Sequence, residues 1–309
     1  MNPSPHVSVS IDLSRIRANA ERVRAQTGVA TYAVVKADAY GCGAAKVADA
    51  IAAVVDGFYV FCLEEAAAVG LKKFGKPIIS LLDESDDPAV YRQAGVKPVV
   101  WTIERAKALR GTQAVLSVDT GQQRFACDAN EIGAIVRAGE IDEAMTHASR
   151  PEQAAAFDRA TAAFSFRFRH AAGTALLAHP AAWFNATRPG MALYDGAVSV
   201  STRLVDVRNA VGPIGYTGFL AARHGVILVG YSHGLRRGPC LVNGQRRQIV
   251  EVGMQSAFVE LSVDDNTGDE VFLLGDGLDA AAVAQAWGTS QQEALVHLAG
   301  AGVQRHVSR

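Results

Sequence analysis

The sequence predicts an α/β chain, with an N-terminal (β/α)8 TIM-type barrel followed by a C-terminal, mainly β domain. Three observations carry that expectation. Through the first two-thirds of the chain, eight short β-branched runs alternate with alanine-rich amphipathic stretches, the spacing of a compact barrel. No turn among them carries the Gly-x-Gly-x-x-Gly pattern that a doubly wound sheet would use. Near Arg203 the alternation stops and strands dominate. The expected organisation is a barrel over residues 8–202 and a β-rich domain over residues 203–309.

The barrel strands are expected at Tyr32–Val35, Phe58–Phe61, Ile78–Leu82, Pro98–Trp101, Val115–Val118, Ala144–His147, Phe166–His170 and Trp183–Ala186. The helices between them are punctuated. In the stretch from Glu64 to Gly75, acids open the pattern, Lys72 and Lys73 close it, and Gly75 and Pro77 stop it. Ala94-Gly95 repeats the stop ahead of the next strand. In the second region, strands are expected at Val226–Val229, Cys240–Val242, Gln248–Val252, Ala257–Val263 and Glu270–Leu274. Asn243-Gly244 predicts a tight hairpin, since both residues accept positive φ. Two helices, Leu278–Trp287 and Ser290–Leu298, close the pattern.

Composition narrows the function classes. Of 309 residues 49% are apolar, yet no apolar run is long enough to span a bilayer. Met1 to His6 shows no basic segment leading into an apolar one, so secretion is not expected and a cytoplasmic location is. Net charge is −1 with both signs interspersed, which gives no electrostatic case for nucleic acid or an anionic membrane. Cys42, Cys62, Cys127 and Cys240 lack metal or redox spacing and are read as packed thiols.

The segment Val34-Val35-Lys36-Ala37-Asp38-Ala39-Tyr40-Gly41-Cys42-Gly43 is the most informative in the chain. It sets a lysine at the end of an apolar β-run, where barrels do their chemistry. A desolvated amine gives up its proton more readily and can attack a carbonyl to form a Schiff base. A buried lysine in a structural ion pair is the other reading, and the segment alone does not separate the two.

Further motifs do. Ile11-Asp12-Leu13, Val118-Asp119-Thr120-Gly121 with Arg124, Met145-Thr146-His147, Arg188-Pro189-Gly190-Met191-Ala192-Leu193-Tyr194 and Val229-Gly230-Tyr231 follow in order. With the lysine segment, this series resembles the alanine racemase family over almost the whole length. The resemblance implies a pyridoxal 5'-phosphate (PLP) enzyme that interconverts L- and D-alanine, or a similar small amino acid such as serine, as a homodimer. It implies that Lys36 binds PLP covalently and acts as one catalytic base, while Tyr231 of the partner subunit acts as the other. Two bases flanking a flat carbanion exchange the α-proton without moving the substrate. The resemblance further assigns Arg188 to the PLP ring nitrogen, and Tyr40, Thr174, Gly190 and Met191 to the phosphate. It places His147 and His170 near the cofactor, both as supports for Arg188 and the ring rather than as bases. Arg124 and Met254 fall at the substrate carboxylate, and no metal is implied.

The departures are specific. Ser117 stands where many members carry a carbamylated lysine that braces the arginine equivalent to Arg124. Gln255 replaces an aspartate, and Gly173 replaces an asparagine. The ending Val303-Gln304-Arg305-His306-Val307 lacks the family's tyrosine, with His306 as a candidate substitute. The chain is also shorter, with losses after His147, after Tyr194 and in the β domain. These changes leave open a specialised epimerase with a wider substrate, or a PLP-binding protein without turnover.

Overall fold

The computed structural model describes residues 3–308, so part of the Met1–His6 segment lies outside the described residues. The strands run in order as β1 (Ser4–Asp12), β2 (Ala30–Val34), β3 (Gly57–Val60), β4 (Ile78–Ser80), β5 (Val96–Val100), β6 (Val115–Ser117), β7 (Glu143–Ala148) and β8 (Phe168–Ala172). They continue as β9 (Ala186–Thr187), β10 (Val198–Asn209), β11 (Arg223–Ile227), β12 (Gly238–Val242), β13 (Gln245–Val252), β14 (Ala257–Glu260), β15 (Glu270–Leu274) and β16 (Gly302–Val307). The chain divides into two compact units. One comprises Ile16–Ala39 and Ala44–Tyr194, and the other comprises the residues up to Arg15, Tyr40–Gly43 and everything from Asp195.

The first unit is a closed, all-parallel barrel of β2 to β9 in sequence order, completed by the pairing of Ala30 with Ala186. Seven strands each send one side chain into a common interior cluster: Tyr32, Tyr59, Ile79, Val99, Val115, Met145 and Ala186. Strand β8 contributes His170 instead, fully buried and tilted against the Tyr32 ring at 5.0 Å. Parallel strands covered on both faces need near-continuous apolar sequence, which is why these runs read as strands without alternation.

The stretch expected as one helix from Glu64 to Gly75 is two. An α-helix, Leu63–Val69, ends on Gly70 at φ 69°, and a short 3-10 turn, Leu71–Phe74, ends on Gly75 at φ 63°. Gly70 takes up the first helix's last carbonyls, those of Ala66 and Ala67, so the acid-to-lysine charge gradient spans a break.

The second unit is a sheet ordered β11-β14-β13-β12-β15-β10-β1-β16. Because β11 also pairs with β10, six of these strands close into a ring, and β1 and β16 extend it. The β12–β13 hairpin turns at Asn243 (φ 50°) and Gly244 (φ 71°), as the sequence requires. The barrel expected over residues 8–202 therefore differs at both ends. Residues 8–15 and 195–202 lie with the sheet, since β1 pairs along its length with β10 and β16. Its alternating burial matches a strand in a one-sided sheet rather than a barrel stave.

Candidate active site

Lys36 comes one residue past β2, whose end is fixed by the Val34 amide donating to Pro189 O at 3.0 Å and the Val35 amide to Tyr59 O at 2.9 Å. The chain then turns left-handed. Ala37, Asp38, Ala39 and Tyr40 have φ of 53°, 51°, 55° and 58°, and Gly41 follows at 80°. For L-residues this costs roughly 1–2 kcal/mol each, so the segment needs outside support. Glu65 Oε1 accepts from the Ala37 amide at 2.8 Å, while its Oε2 accepts from the Phe61 amide at 2.8 Å. Asp38 Oδ1 accepts from the Ala44 amide at 2.7 Å. Within the sheet unit, Gln304 Nε2 donates to Gly41 O at 2.6 Å, and His306 Nε2 lies 2.8 Å from Cys42 O. His306 is thus engaged with backbone, and the buried Cys42 is a packing thiol.

The Lys36 side chain enters a cavity of about 590 Å³ counted out to its open mouth, lined wholly by barrel-unit residues. Arg124, His147 and Arg188 line it too. They come from the loop after β6, from β7 and from just beyond β9, so all four groups sit at the C-terminal ends of barrel strands. Ser117 faces the same space. The Lys36 amine is pushed below its ordinary range, first by burial and then by the Arg124 charge, with Arg188 adding and Glu65 opposing. His147 is pushed down to about 4 by burial and by Arg188, Lys36 and Arg124.

Arg188 is 7% exposed. Its Nη2 donates to the Thr146 carbonyl and, at 3.4 Å, to Ala171 O, while its guanidinium lies 5.3 Å from the Tyr59 ring centre. Its Nε is buried without a hydrogen-bond partner. A buried, charged donor left unpaired is costly, and here it belongs to a residue that lines the cavity.

His170 does not line the cavity. Its Nδ1 lies 3.0 Å from the Tyr59 hydroxyl, and its Nε2 lies 3.0 Å from Glu143 Oε1, off the hydrogen-bonding line. Glu143 Oε2 accepts from Lys97 Nζ at 2.6 Å. Any support from His170 to Arg188 therefore passes through Tyr59. The sequence reading missed this buried group. Its signal was two opposite charges, Lys97 and Glu143, set within apolar strand runs.

Arg124 sits on a loop organised by Asp119, whose Oδ1 accepts from the amides of Gly121, Gln122 and Gln123 at 2.8, 3.0 and 3.0 Å. Burial pushes the Asp119 carboxyl up, but these amide bonds outweigh it and hold the group below its ordinary range. Phe61 and Phe125, also unanticipated, add aromatic walls, with Lys36 Nζ 5.9 Å from the Phe61 ring centre.

The segment that follows Arg188 carries Gly190 and Met191. Thr174 Oγ1 accepts from the Gly190 amide at 3.3 Å and from the Ala192 amide at 3.1 Å. Thr174 itself is exposed. A hydroxyl that already accepts two amides has its own O–H left to donate. The remaining expected residues, Tyr40, Tyr231 and Met254, belong to the sheet unit. Tyr231 is 57% and Met254 62% exposed.

This geometry can be set beside known proteins. The alanine racemase N-terminal domain matches residues 11–197, and the alanine racemase C-terminal domain matches residues 197–307. The chain belongs to the alanine racemase family. An alanine racemase of Pseudomonas syringae is 30% identical over 340 aligned positions, covering 93% of this chain and 95% of that protein. One from Azoarcus is 30% identical over 338 positions, with 93% and 96% covered. Both alignments are longer than the 309-residue chain, so they contain gaps. The biosynthetic alanine racemase of Pseudomonas aeruginosa superposes with a TM-score of 0.90 at 27% identity, covering 99% of this chain and 100% of that one. The Bartonella henselae alanine racemase, solved with covalently bound pyridoxal phosphate, gives 0.87 at 24% identity over 98% of this chain and all of that one.

Among the described residues no helix is long and apolar enough to cross a membrane, and no cluster of His, Cys, Asp and Glu could hold a metal ion.

Proposed function

We propose that this chain is a cytoplasmic, PLP-dependent amino-acid racemase acting on alanine or a similarly small amino acid. It works as a homodimer in which Tyr231 of the partner subunit completes each site. The observation that carries the reading is Lys36. Its amine, depressed by burial and neighbouring cations, shares one strand-end cavity with Arg124, His147 and Arg188.

The residues present fit the cofactor. Arg188 Nε, a buried donor without a partner, suits a pyridine nitrogen. Thr174 would offer its O–H to a phosphate, and the family resemblance assigns the Gly190–Met191 backbone and the Tyr40 hydroxyl to the same group. When bound, PLP supplies the electron sink that makes an amino-acid α-proton removable. The protein supplies the rest. A guanidinium stays protonated, so Arg188 would hold the ring nitrogen as a hydrogen-bond donor and would favour plain proton exchange over deeper electron withdrawal. Lys36 Nζ, partly desolvated, takes or returns the α-proton on one face. The phenolic oxygen of Tyr231 does so on the other. Arg124 holds the substrate carboxylate, helped by the Met254 backbone.

Exposure of Tyr231 and Met254 supports their use across a subunit boundary. The loss of bulk at Ser117 and at the C-terminal tyrosine position supports a second reading, a wider substrate range on the same chemistry. One experiment tests both readings. The PLP-loaded protein is offered a panel of L-amino acids in deuterated water, with α-deuterium incorporation and enantiomer ratio followed together. Exchange with loss of optical purity is expected, strongest for alanine. Bound cofactor with no exchange for any amino acid overturns the racemase reading in favour of a non-catalytic binder.

A further inference from the structure

The turn that carries Tyr231 contains a buried histidine to which the mechanism above gives no task. Tyr231 opens a 3-10 turn, Tyr231–His233, which ends on Gly234 at φ 83°. The turn is laid against a second one at Gly253–Met254. The Tyr231 amide donates to Gly253 O at 2.9 Å, the Ser232 amide to Met254 O at 3.1 Å, and Ser232 Oγ to Met254 O at 2.7 Å. Gly230, just before Tyr231, is wedged against the same strip. A Cβ there would lie 2.3 Å from Gly253 O and 2.4 Å from Met254 O. Backbone at this position has no room to shift.

The buried Gly230 amide donates to Nδ1 of His233 at 3.1 Å, and His233 is 8% exposed. An amide can donate only to an unprotonated ring nitrogen, so the imidazole is neutral with its hydrogen on Nε2. Burial lowers the His233 pKa in the same sense. The carbonyl of Gly230 then accepts from the His233 amide at 3.0 Å and the Leu235 amide at 3.3 Å, so His233 closes the turn from both sides.

We infer that His233 is the positioning residue of Tyr231: its Nδ1 holds the Gly230 amide and so fixes the direction in which the phenol leaves the turn. The inference rests on the proposed role of Tyr231.

The test compares His233→Leu, which keeps apolar volume and removes the acceptor, with His233→Asn, whose Oδ1 falls where Nδ1 sits. Both are measured as PLP-loaded full-length protein beside the wild type and Tyr231→Phe. His233→Leu should lower racemisation about tenfold or more, the usual consequence of a buried donor left unpaired. α-Deuterium exchange from one enantiomer should meanwhile stay within about threefold, because Lys36 is untouched. His233→Asn should restore racemisation to within about threefold. Amide hydrogen exchange at residues 230–234, read without substrate, should accelerate in the Leu variant and stay at the wild-type rate in the Asn variant. Wild-type racemisation in the Leu variant, or equal losses in both variants, overturns the inference. If the Leu variant does not fold, the Asn variant decides alone, and loss of racemisation in a folded His233→Asn protein overturns it. Undiminished racemisation in Tyr231→Phe would sink the role of Tyr231 itself, a result distinct from any failure at His233.

Discussion

The two turns that carry the proposed bases are built on opposite plans. The Lys36 turn is strained, with four consecutive non-glycine residues in the left-handed region, and side chains far away in sequence hold it: Glu65 on Ala37, Gln304 on Gly41 and His306 on Cys42. The Tyr231 turn has positive φ only at its closing glycine, and neighbouring backbone and one local histidine hold it. Lys36 is half-buried, while Tyr231 is 57% exposed. The contrast follows from what each base must do. A covalent anchor has to stay in one place, and strain held by many partners gives one arrangement rather than several. A base delivered to another subunit has to be presented outward on a turn that keeps its shape before the partner arrives.

Removing each base breaks the comparison most severely. Lys36→Ala should abolish turnover, by at least about a thousandfold, and should leave PLP exchangeable on gel filtration. Absorbance that stays with the protein after borohydride reduction and denaturation would show that another residue holds the cofactor. Tyr231→Phe should cut racemisation by about 10²–10⁴-fold, yet leave cofactor binding and one-sided deuterium exchange in place. A Tyr231→Phe protein that also loses its cofactor would mean that the exposed turn supports the barrel site in a way the plan above does not include.

The strain itself can be tested more gently. Glu65→Ala removes acceptors from the Ala37 and Phe61 amides, both near solvent. Water can replace part of what is lost, so the cost should resemble that of a helix cap, about 1 kcal/mol of unfolding stability. Glu65 also opposes the depression of the Lys36 pKa, so the alkaline-side titration of the amine should move further down. A fall in stability with no movement of that titration would leave Glu65 a purely structural brace.

Much of this was legible in the sequence because parallel strands and stop signals are written locally. Seven of the eight barrel strands, the Asn243-Gly244 hairpin and both closing helices are found at or near the expected residues, whereas the last strand, expected at Trp183–Ala186, is Ala186–Thr187 after a turn over Trp183–Asn185. The handedness of Ala37–Gly41 was not legible. Alanine-rich sequence favours a right-handed helix, and the partners that override it, Glu65, Gln304 and His306, lie 28 or more residues away. The place of β1 was hidden for the same reason, since its pairing partners β10 and β16 come at the other end of the chain. Lys36, Arg124, His147 and Arg188 were each found as motif residues, and the fold brings them to one cavity. Of the Lys97–Glu143–His170–Tyr59 group only His170 was named from the sequence; Lys97, Glu143 and Tyr59 escaped because they sit in no motif and only barrel closure brings them to it.

The smallest expected effect sharpens the comparison through two histidines. His147 beside Lys36 is pushed down by burial and by three cations, Arg188, Lys36 and Arg124, whereas His233 beside Tyr231 is pushed down by burial alone. Removing one cation should therefore move the first titration and not the second. In Arg124→Gln, the His147 midpoint, about 4 in the wild type, should rise toward the ordinary 6.5, while that of His233 stays where it was. Nuclear magnetic resonance titration of the two imidazoles reads both at once. The sign carries through to stability. His147 is neutral in the folded protein down to about 4 but takes a proton near 6.5 when unfolded. Between those values the unfolded chain binds the extra proton, so stability is full above 6.5 and falls as pH drops toward 4. In Arg124→Gln that window narrows from below and the decline becomes shallower. An unchanged His147 midpoint would mean that burial dominates at both turns, and that the crowd of cations around Lys36 does little to set the charge on its neighbours.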